Sequence, residues 1–270
     1  MEHAGLDARL DRISTDGRVL MVPMDHGITL GAVDGLRDIE STIDAVTRGG
    51  ADAVLTQKGI APRVHPNKND AGYLVHLNAS TVVGPEANDK RRTGTVKAAI
   101  RAGADAVSVH VNVGSDYEPE QVEFLTDVTE TASDYGLPTL AMAYARGANL
   151  EGDDPEHDPE YLGHAVRLAE ECGADLVKTA YSGDADSFES VVGSTRLPVI
   201  IAGGSPVGDE ATLDAVRGAM DAGAAGVSMG RTIFQHRDPG AMTRAVSAVV
   251  HDDAPAADAL AESGLGEEAE

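Results

Sequence analysis

Short apolar runs alternate along this chain with longer stretches whose apolar positions recur every three or four residues. The runs span 18–24, 53–57, 74–79, 106–113, 139–144, 176–179, 199–202 and 226–229. Within each the apolar residues are nearly continuous, as in strands buried on both faces of a parallel sheet. Helical spacing fills 36–47, 93–101, 119–135, 159–171, 209–222 and 239–250. Eight strand-length runs interleaved with helices predict an α/β fold, a single (β/α)8 TIM barrel. The second unit is irregular: 60–73 holds Pro62, Pro66 and Gly72, which predicts a loop. A doubly wound open sheet is the rival, but no Gly-rich dinucleotide or Walker loop follows any run.

One phrase recurs. It reads Gly50-Ala51-Asp52-Ala53-Val54, Gly103-Ala104-Asp105-Ala106-Val107 and Gly173-Ala174-Asp175-Leu176-Val177, and more loosely Gly223-Ala224-Ala225-Gly226-Val227. Each copy ends a helical stretch with a glycine suited to a left-handed cap and enters an apolar run, marking a helix-to-strand joint. Ahead of the first strand, 4–13 predicts a short amphipathic helix covering the barrel floor. Residues 1–250 are assigned to the barrel domain, and 251–270, rich in Ala, Asp and Glu, to an acidic, flexible tail.

Composition narrows the setting. The 270 residues are 42% hydrophobic, ample for a core, and carry a formal charge of −24 with five lysines. That field repels phosphate backbones and anionic membrane surfaces, so neither nucleic acid nor a membrane is an expected partner. An acidic, lysine-poor surface suits a cytosol of very high salt, where screening removes self-repulsion, and predicts a halophilic source. Charges throughout residues 1–20 leave no core for a signal peptide, and the single Cys172 forms no internal disulfide, as expected of a cytoplasmic protein.

In such a barrel chemistry gathers where strands end, so each strand terminus is read for polar groups. The ends offer Asp25 and His26, Gln57 and Lys58, Asn78 and Ser80, His110 and Asn112, Tyr144 and Arg146, Lys178, Gly203-Gly204, and Gly230-Arg231. Lys178 interrupts the apolar run Leu176-Val177-Lys178-Thr179. Burial of an ammonium favours the neutral amine that attacks a carbonyl to form a Schiff base; the structural alternative is a lysine neutralised by a carboxylate. Lys58, before Gly59, reads as a loop cation or anion ligand. Asp25 and Tyr144 could supply the proton transfers of imine chemistry, or act as a turn carboxylate and an amphipathic core residue. The glycine pairs, with Arg231, suit an anion at the ends of the last two strands, or serve only as turns. His26, His65, His76, His110 and His164 form no close ligand pair on one element, so no metal is expected. Cys172 reads as structural.

Val22-Pro23-Met24-Asp25-His26-Gly27, Ala143-Tyr144-Ala145-Arg146-Gly147, Asp175-Leu176-Val177-Lys178-Thr179 followed by Tyr181, Ser182, Gly183 and Asp184, Ala202-Gly203-Gly204 and Gly230-Arg231 together resemble the archaeal class I aldolase family over residues 6–250. The resemblance implies Lys178 as the Schiff-base residue, Asp25 as proton acceptor and Tyr144 as proton donor. It implies a substrate site lined by Asp25, His26, Gly27, Ile28, Thr29, Tyr144, Ala145, Arg146, Lys178, Gly203, Gly204, Gly230 and Arg231. Ala145 and Ala32 stand where the family commonly has proline, which relaxes two loops. The implied activity is a transaldolase-like exchange between a phosphorylated ketose, 6-deoxy-5-ketofructose 1-phosphate, and L-aspartate 4-semialdehyde, feeding aromatic amino-acid synthesis. No metal or organic cofactor is implied, and the assembly implied is a homo-oligomer. Cleavage of fructose 1,6-bisphosphate is the alternative enzyme activity, and a noncatalytic phosphosugar-binding barrel a second alternative.

Overall fold

A computed structural model describes residues 4–204 and 207–265. Its strands are β1 (Val19–Pro23), β2 (Ala53–Gln57), β3 (Gly72–His76), β4 (Asn78–Ala79), β5 (Arg91–Arg92), β6 (Ala106–Val113), β7 (Thr139–Ala145), β8 (Leu176–Thr179), β9 (Val199–Ala202) and β10 (Gly226–Ser228). Eight of them close into an all-parallel barrel in the order β1-β10-β9-β8-β7-β6-β3-β2, and β4 pairs antiparallel with β5 outside it. The helices are α1 (Ala4–Leu10), α2 (Gly27–Leu30), α3 (Ile39–Arg48), α4 (Ala61–Val64), α5 (Val96–Arg101), α6 (Glu118–Ser133), α7 (Pro159–Glu171), α8 (Ala185–Val192), α9 (Asp209–Asp221), α10 (Arg231–Phe234), α11 (Pro239–His251) and α12 (Ala256–Glu262). No described helix is long and apolar enough to cross a membrane.

The recurring phrase has a structural job at the barrel floor. Its glycines take positive φ, from 78° at Gly103 to 101° at Gly50, turning the chain from helix into strand. Its aspartates then accept the first free N–H of the neighbouring strand: Asp52 from Leu20 at 2.6 Å, Asp105 from Tyr73 at 3.0 Å and Asp175 from Thr139 at 2.8 Å. Each carboxylate thus satisfies a strand end that the sheet leaves unpaired. The fourth copy has Ala225 there and lacks that carboxylate bond; its backbone carbonyl accepts from Val19 N at 2.9 Å, as that of Asp52 does from Gly72 N at 2.8 Å. Aspartates also start helices: Asp38, Asp158, Asp184 and Asp238 each accept from an N–H in the first turn.

Two cores follow from the strand period of two. Outward side chains such as Val22, Val54, Val75, Val111, Ala143 and Val177 pack under the helices. Inward ones, including Met21, Leu55, Leu74, Ala106, Leu140, Leu176 and Ile200, fill the barrel's lower half. The floor is closed by Ile13, 1% exposed, with Leu10 against it, while α1 itself buries no side chain. The expected helix over 4–13 therefore plugs the barrel through the turn that follows it.

Three expectations are corrected. The stretch 60–73 is not wholly loop, because Lys58–Ile60 form a 3₁₀ turn that runs into α4 with Val64 buried. The third strand stops at His76, and Asn78–Ala79 turn away to pair with Arg91–Arg92. The stretch 251–270 is not uniformly a solvated tail: α12 packs on α9 and α11 with Ala259 and Leu265 buried, and Arg237 donates to the Leu265 carbonyl at 2.6 Å. Small alanines allow that close packing despite the segment's low bulk. Residues 266–270 lie outside the described part.

Candidate active site

The inward rows change character along their length. Leu74 is followed two residues on by His76, Met142 by Tyr144 and Leu176 by Lys178, and on β6 Ala106 is followed by Ser108 and His110, so the inward face of these strands is apolar at the floor and polar at the mouth. Asp25 extends the row Val19, Met21, Pro23 beyond β1. These groups converge on a pocket of about 260 Å³, lined by Asp25, His26, Ile28, Thr29, Leu30, His76, Asn78, Ala79, Lys90, His110, Met142, Tyr144, Arg146, Lys178, Ala202, Gly203, Gly204, Ser228, Gly230 and Arg231.

Lys178 is 6% exposed and pairs in register with Met142 on one side and Ile200 on the other. No described carboxylate forms an ion pair with it, although its charge acts on Asp25. Tyr144, 7% exposed, lies against the His110 ring at 5.0 Å between centroids, with the Arg146 guanidinium 4.5 Å over its own ring. Asp25 is flanked by His26 Nδ1 at 3.5 Å and His76 Nε2 at 3.8 Å; His76 Nδ1 in turn bonds Ser108 Oγ at 2.7 Å. Burial alone would raise the Asp25 carboxyl, but the charges that His76 and His26 carry once protonated at low pH, with that of Lys178, outweigh it and hold the group below the usual carboxylate range. Asp25 is therefore ionised at neutral pH.

Burial sets the neighbouring bases in the other direction. It lowers His26 and His76 against the pull of Asp25, with Lys178 adding to the effect on both. His110 falls well below the ordinary imidazole value through burial and the charges of Lys90 and Arg146. Burial, and then Arg146, lowers Lys90 as well. The mouth thus holds one carboxylate, three neutral imidazoles and several cations, an arrangement suited to imine formation and proton transfer on an anionic substrate.

Most of the expected site residues meet here: Asp25, His26, Ile28, Thr29, Tyr144, Arg146, Lys178, Gly203, Gly204, Gly230 and Arg231 all line the pocket. Two do not. Ala145, 1% exposed, belongs to the outward core under the helices, because it follows the inward Tyr144 by a single residue. Gly27 faces an adjoining cavity with Gln57, Gly59 and Arg63, behind α2. Lys58 is also absent, its ammonium donating to the Thr93 carbonyl. In its place stands Lys90, beside β5, donating to Ser80 Oγ at 2.7 Å. His76 was legible as the inward residue after Leu74; Lys90 carries no local signal, since only the β4–β5 pairing brings it to the mouth. Among the described residues no three His, Cys, Asp or Glu side chains cluster as a metal-binding set.

Comparison with known proteins fits this geometry. A curated 2-amino-3,7-dideoxy-D-threo-hept-6-ulosonate synthase of Halobacterium salinarum is 68% identical over 265 residues, covering 98% of each chain. A class 1 fructose-bisphosphate aldolase of the same species is 36% identical over 257 residues, 92% of this chain and 96% of that protein. A solved archaeal fructose-1,6-bisphosphate aldolase, with its catalytic lysine covalently bound to the carbinolamine intermediate, superposes with a TM-score of 0.83 at 29% identity, covering 91% of this chain and 99% of that one. Residues 19–236 match the DeoC/LacD family aldolase model. With a buried lysine and one carboxylate sharing a pocket at the mouth of a closed eight-stranded barrel, the chain belongs to the DeoC/LacD family of aldolases.

Proposed function

We propose that this enzyme is a Schiff-base-forming transaldolase-type synthase that makes 2-amino-3,7-dideoxy-D-threo-hept-6-ulosonate from 6-deoxy-5-ketofructose 1-phosphate and L-aspartate 4-semialdehyde. The observation that carries the reading is the inward, buried Lys178 sharing one pocket with Asp25 and Tyr144, together with 68% identity to a synthase of that name.

Lys178 Nζ adds to the ketone beside the methyl group of the donor, and loss of water leaves an iminium. The adjoining carbon–carbon bond then breaks. The hydroxyl on its far carbon loses a proton and becomes the aldehyde of departing hydroxypyruvaldehyde phosphate, while the bonding pair forms the enamine held on Lys178. The enamine carbon attacks the aldehyde of L-aspartate 4-semialdehyde, whose oxygen takes up a proton, and water hydrolyses the new iminium. Asp25 accepts and Tyr144 donates the protons in this scheme. The retained imine is the electron sink, so the scheme uses no metal or organic cofactor. Composition supports a cytoplasmic location, and the family resemblance supports homo-oligomeric assembly.

The test is an assay of purified enzyme with both substrates, followed by borohydride trapping. The expected results are the amino-heptulosonate product, a reduced adduct on Lys178, and turnover falling about 100-fold or more in Asp25→Asn and Tyr144→Phe with unchanged folding. Brisk cleavage of fructose 1,6-bisphosphate with no reaction of the semialdehyde would establish the aldolase reading instead. Absence of any adduct would leave a phosphosugar-binding barrel.

A further inference from the structure

The pocket has two cationic ends. Lys178 on β8 lies between β7, which carries Tyr144 and Arg146, and β9, which leads to Gly203 and Gly204. Arg231 belongs to the glycine end, donating to the Gly204 carbonyl at 3.2 Å. Lys90 and Arg146 belong to the other, where Arg146 Nε also donates to Glu156 Oε2 at 3.2 Å. Their charges act on each other and on His110, whereas Arg231 acts on His26.

The β4–β5 excursion that delivers Lys90 is anchored at both sides of the mouth. Gln121 Nε2 donates to the Asn88 carbonyl at 2.5 Å, and Val82 N donates to the Thr29 carbonyl at 3.1 Å. The Lys90 ammonium donates to a neutral hydroxyl, and no carboxylate of the described residues forms an ion pair with it. A partly buried cation lining a pocket in this way is a ready partner for an anion.

The order of atoms in the reaction says which anion. In the exchange proposed above, on which this inference rests, the fragment retained on Lys178 is uncharged. Both aldehydes that come and go carry an anion, four bonds from the aldehyde carbon in hydroxypyruvaldehyde phosphate and three in L-aspartate 4-semialdehyde. Their aldehyde carbons meet the enamine at the same place, beside the proton-transferring Tyr144, over whose ring Arg146 lies. We propose that Lys90 and Arg146 form the anion subsite for the exchanging aldehyde, seating in turn the phosphate of the departing fragment and the carboxylate of L-aspartate 4-semialdehyde.

Hydroxyacetone isolates the subsite, because its imine with Lys178 is the retained fragment and carries no anion. In Lys90→Met, borohydride should still trap hydroxyacetone on Lys178, which also reports an intact fold. The KM for L-aspartate 4-semialdehyde, added to the enzyme with hydroxyacetone as donor, should rise about 10- to 100-fold, as expected for loss of a charge-assisted contact. Lys90→Arg should recover most of that loss, and Arg146→Met should raise the same KM by an independent route. An unchanged semialdehyde KM in both Met variants, with trapping intact, overturns the subsite and leaves the synthase reading standing. Wild-type enzyme that traps no carbonyl compound, or traps one and does not extend it with the semialdehyde, overturns both.

Discussion

At the residue scale, burial sets the protonation of the histidines in the site and neighbouring charge sets that of Asp25. His26, His76 and His110 are held neutral by their surroundings while Asp25 is held ionised. These shifts link folding to pH. An imidazole whose value is lowered on folding binds fewer protons in the native than in the unfolded chain, so stability falls as pH drops below the ordinary histidine value of 6.5. Asp25, also lowered, adds a further loss only below its ordinary value of 3.8. The expected outcome is a melting temperature that declines steadily from pH 7 to pH 5, and less steeply in His110→Asn; equal slopes in the two proteins would remove His110 from the cause. The alternation of apolar floor and polar mouth could be read from Leu176 and Lys178 alone. That Ala145 faces the helices could also have been read, because residues adjacent in a strand point to opposite faces.

At the scale of elements, the barrel depends on how its first and last strands meet. Gly226 in β10 has φ of +139°, and a Cβ there would lie 2.0 Å from the Val19 carbonyl oxygen of β1. Gly226→Ala therefore both strains the backbone and pushes the closing strands apart, and it should cost about 3 kcal/mol or more in urea unfolding. A cost below about 1 kcal/mol would mean that β1 and β10 are not held as tightly as this spacing indicates. The strands and major helices were legible because each has the length and period of its type. The β4–β5 pair was not, since two-residue strands carry no period and their pairing depends on how residues 80–90 fold back.

For the whole molecule, the charge of −24 is spread over helices and loops, and part of it is structural: aspartates cap helices and hold strand ends at the barrel floor. Those carboxylates are satisfied by N–H groups, whereas the remaining surface repels itself. Screening shortens from about 10 Å at 0.1 M salt to about 3 Å at 1 M. The melting temperature should therefore climb between 0.1 M and 2 M KCl, and full stability in dilute buffer would argue against adaptation to high salt. An acidic protein can still accept a phosphosugar-type substrate, because Lys90, Arg146, Lys178 and Arg231 line a single pocket and act at short range where the global field is weak.

The sequence by itself determined the barrel, its helix-to-strand joints and the polar interruption at Lys178, because these depend on local period, on glycine geometry and on a charge within an apolar run; roles for Lys178, Asp25 and Tyr144 came from the family resemblance. Only the tertiary structure decided that Lys90 rather than Lys58 reaches the mouth, that His76 flanks Asp25, and that α12 completes the helical layer. Those outcomes depend on which distant segments come together when eight strands close a ring, and proximity across a closed barrel leaves no periodic mark along the chain.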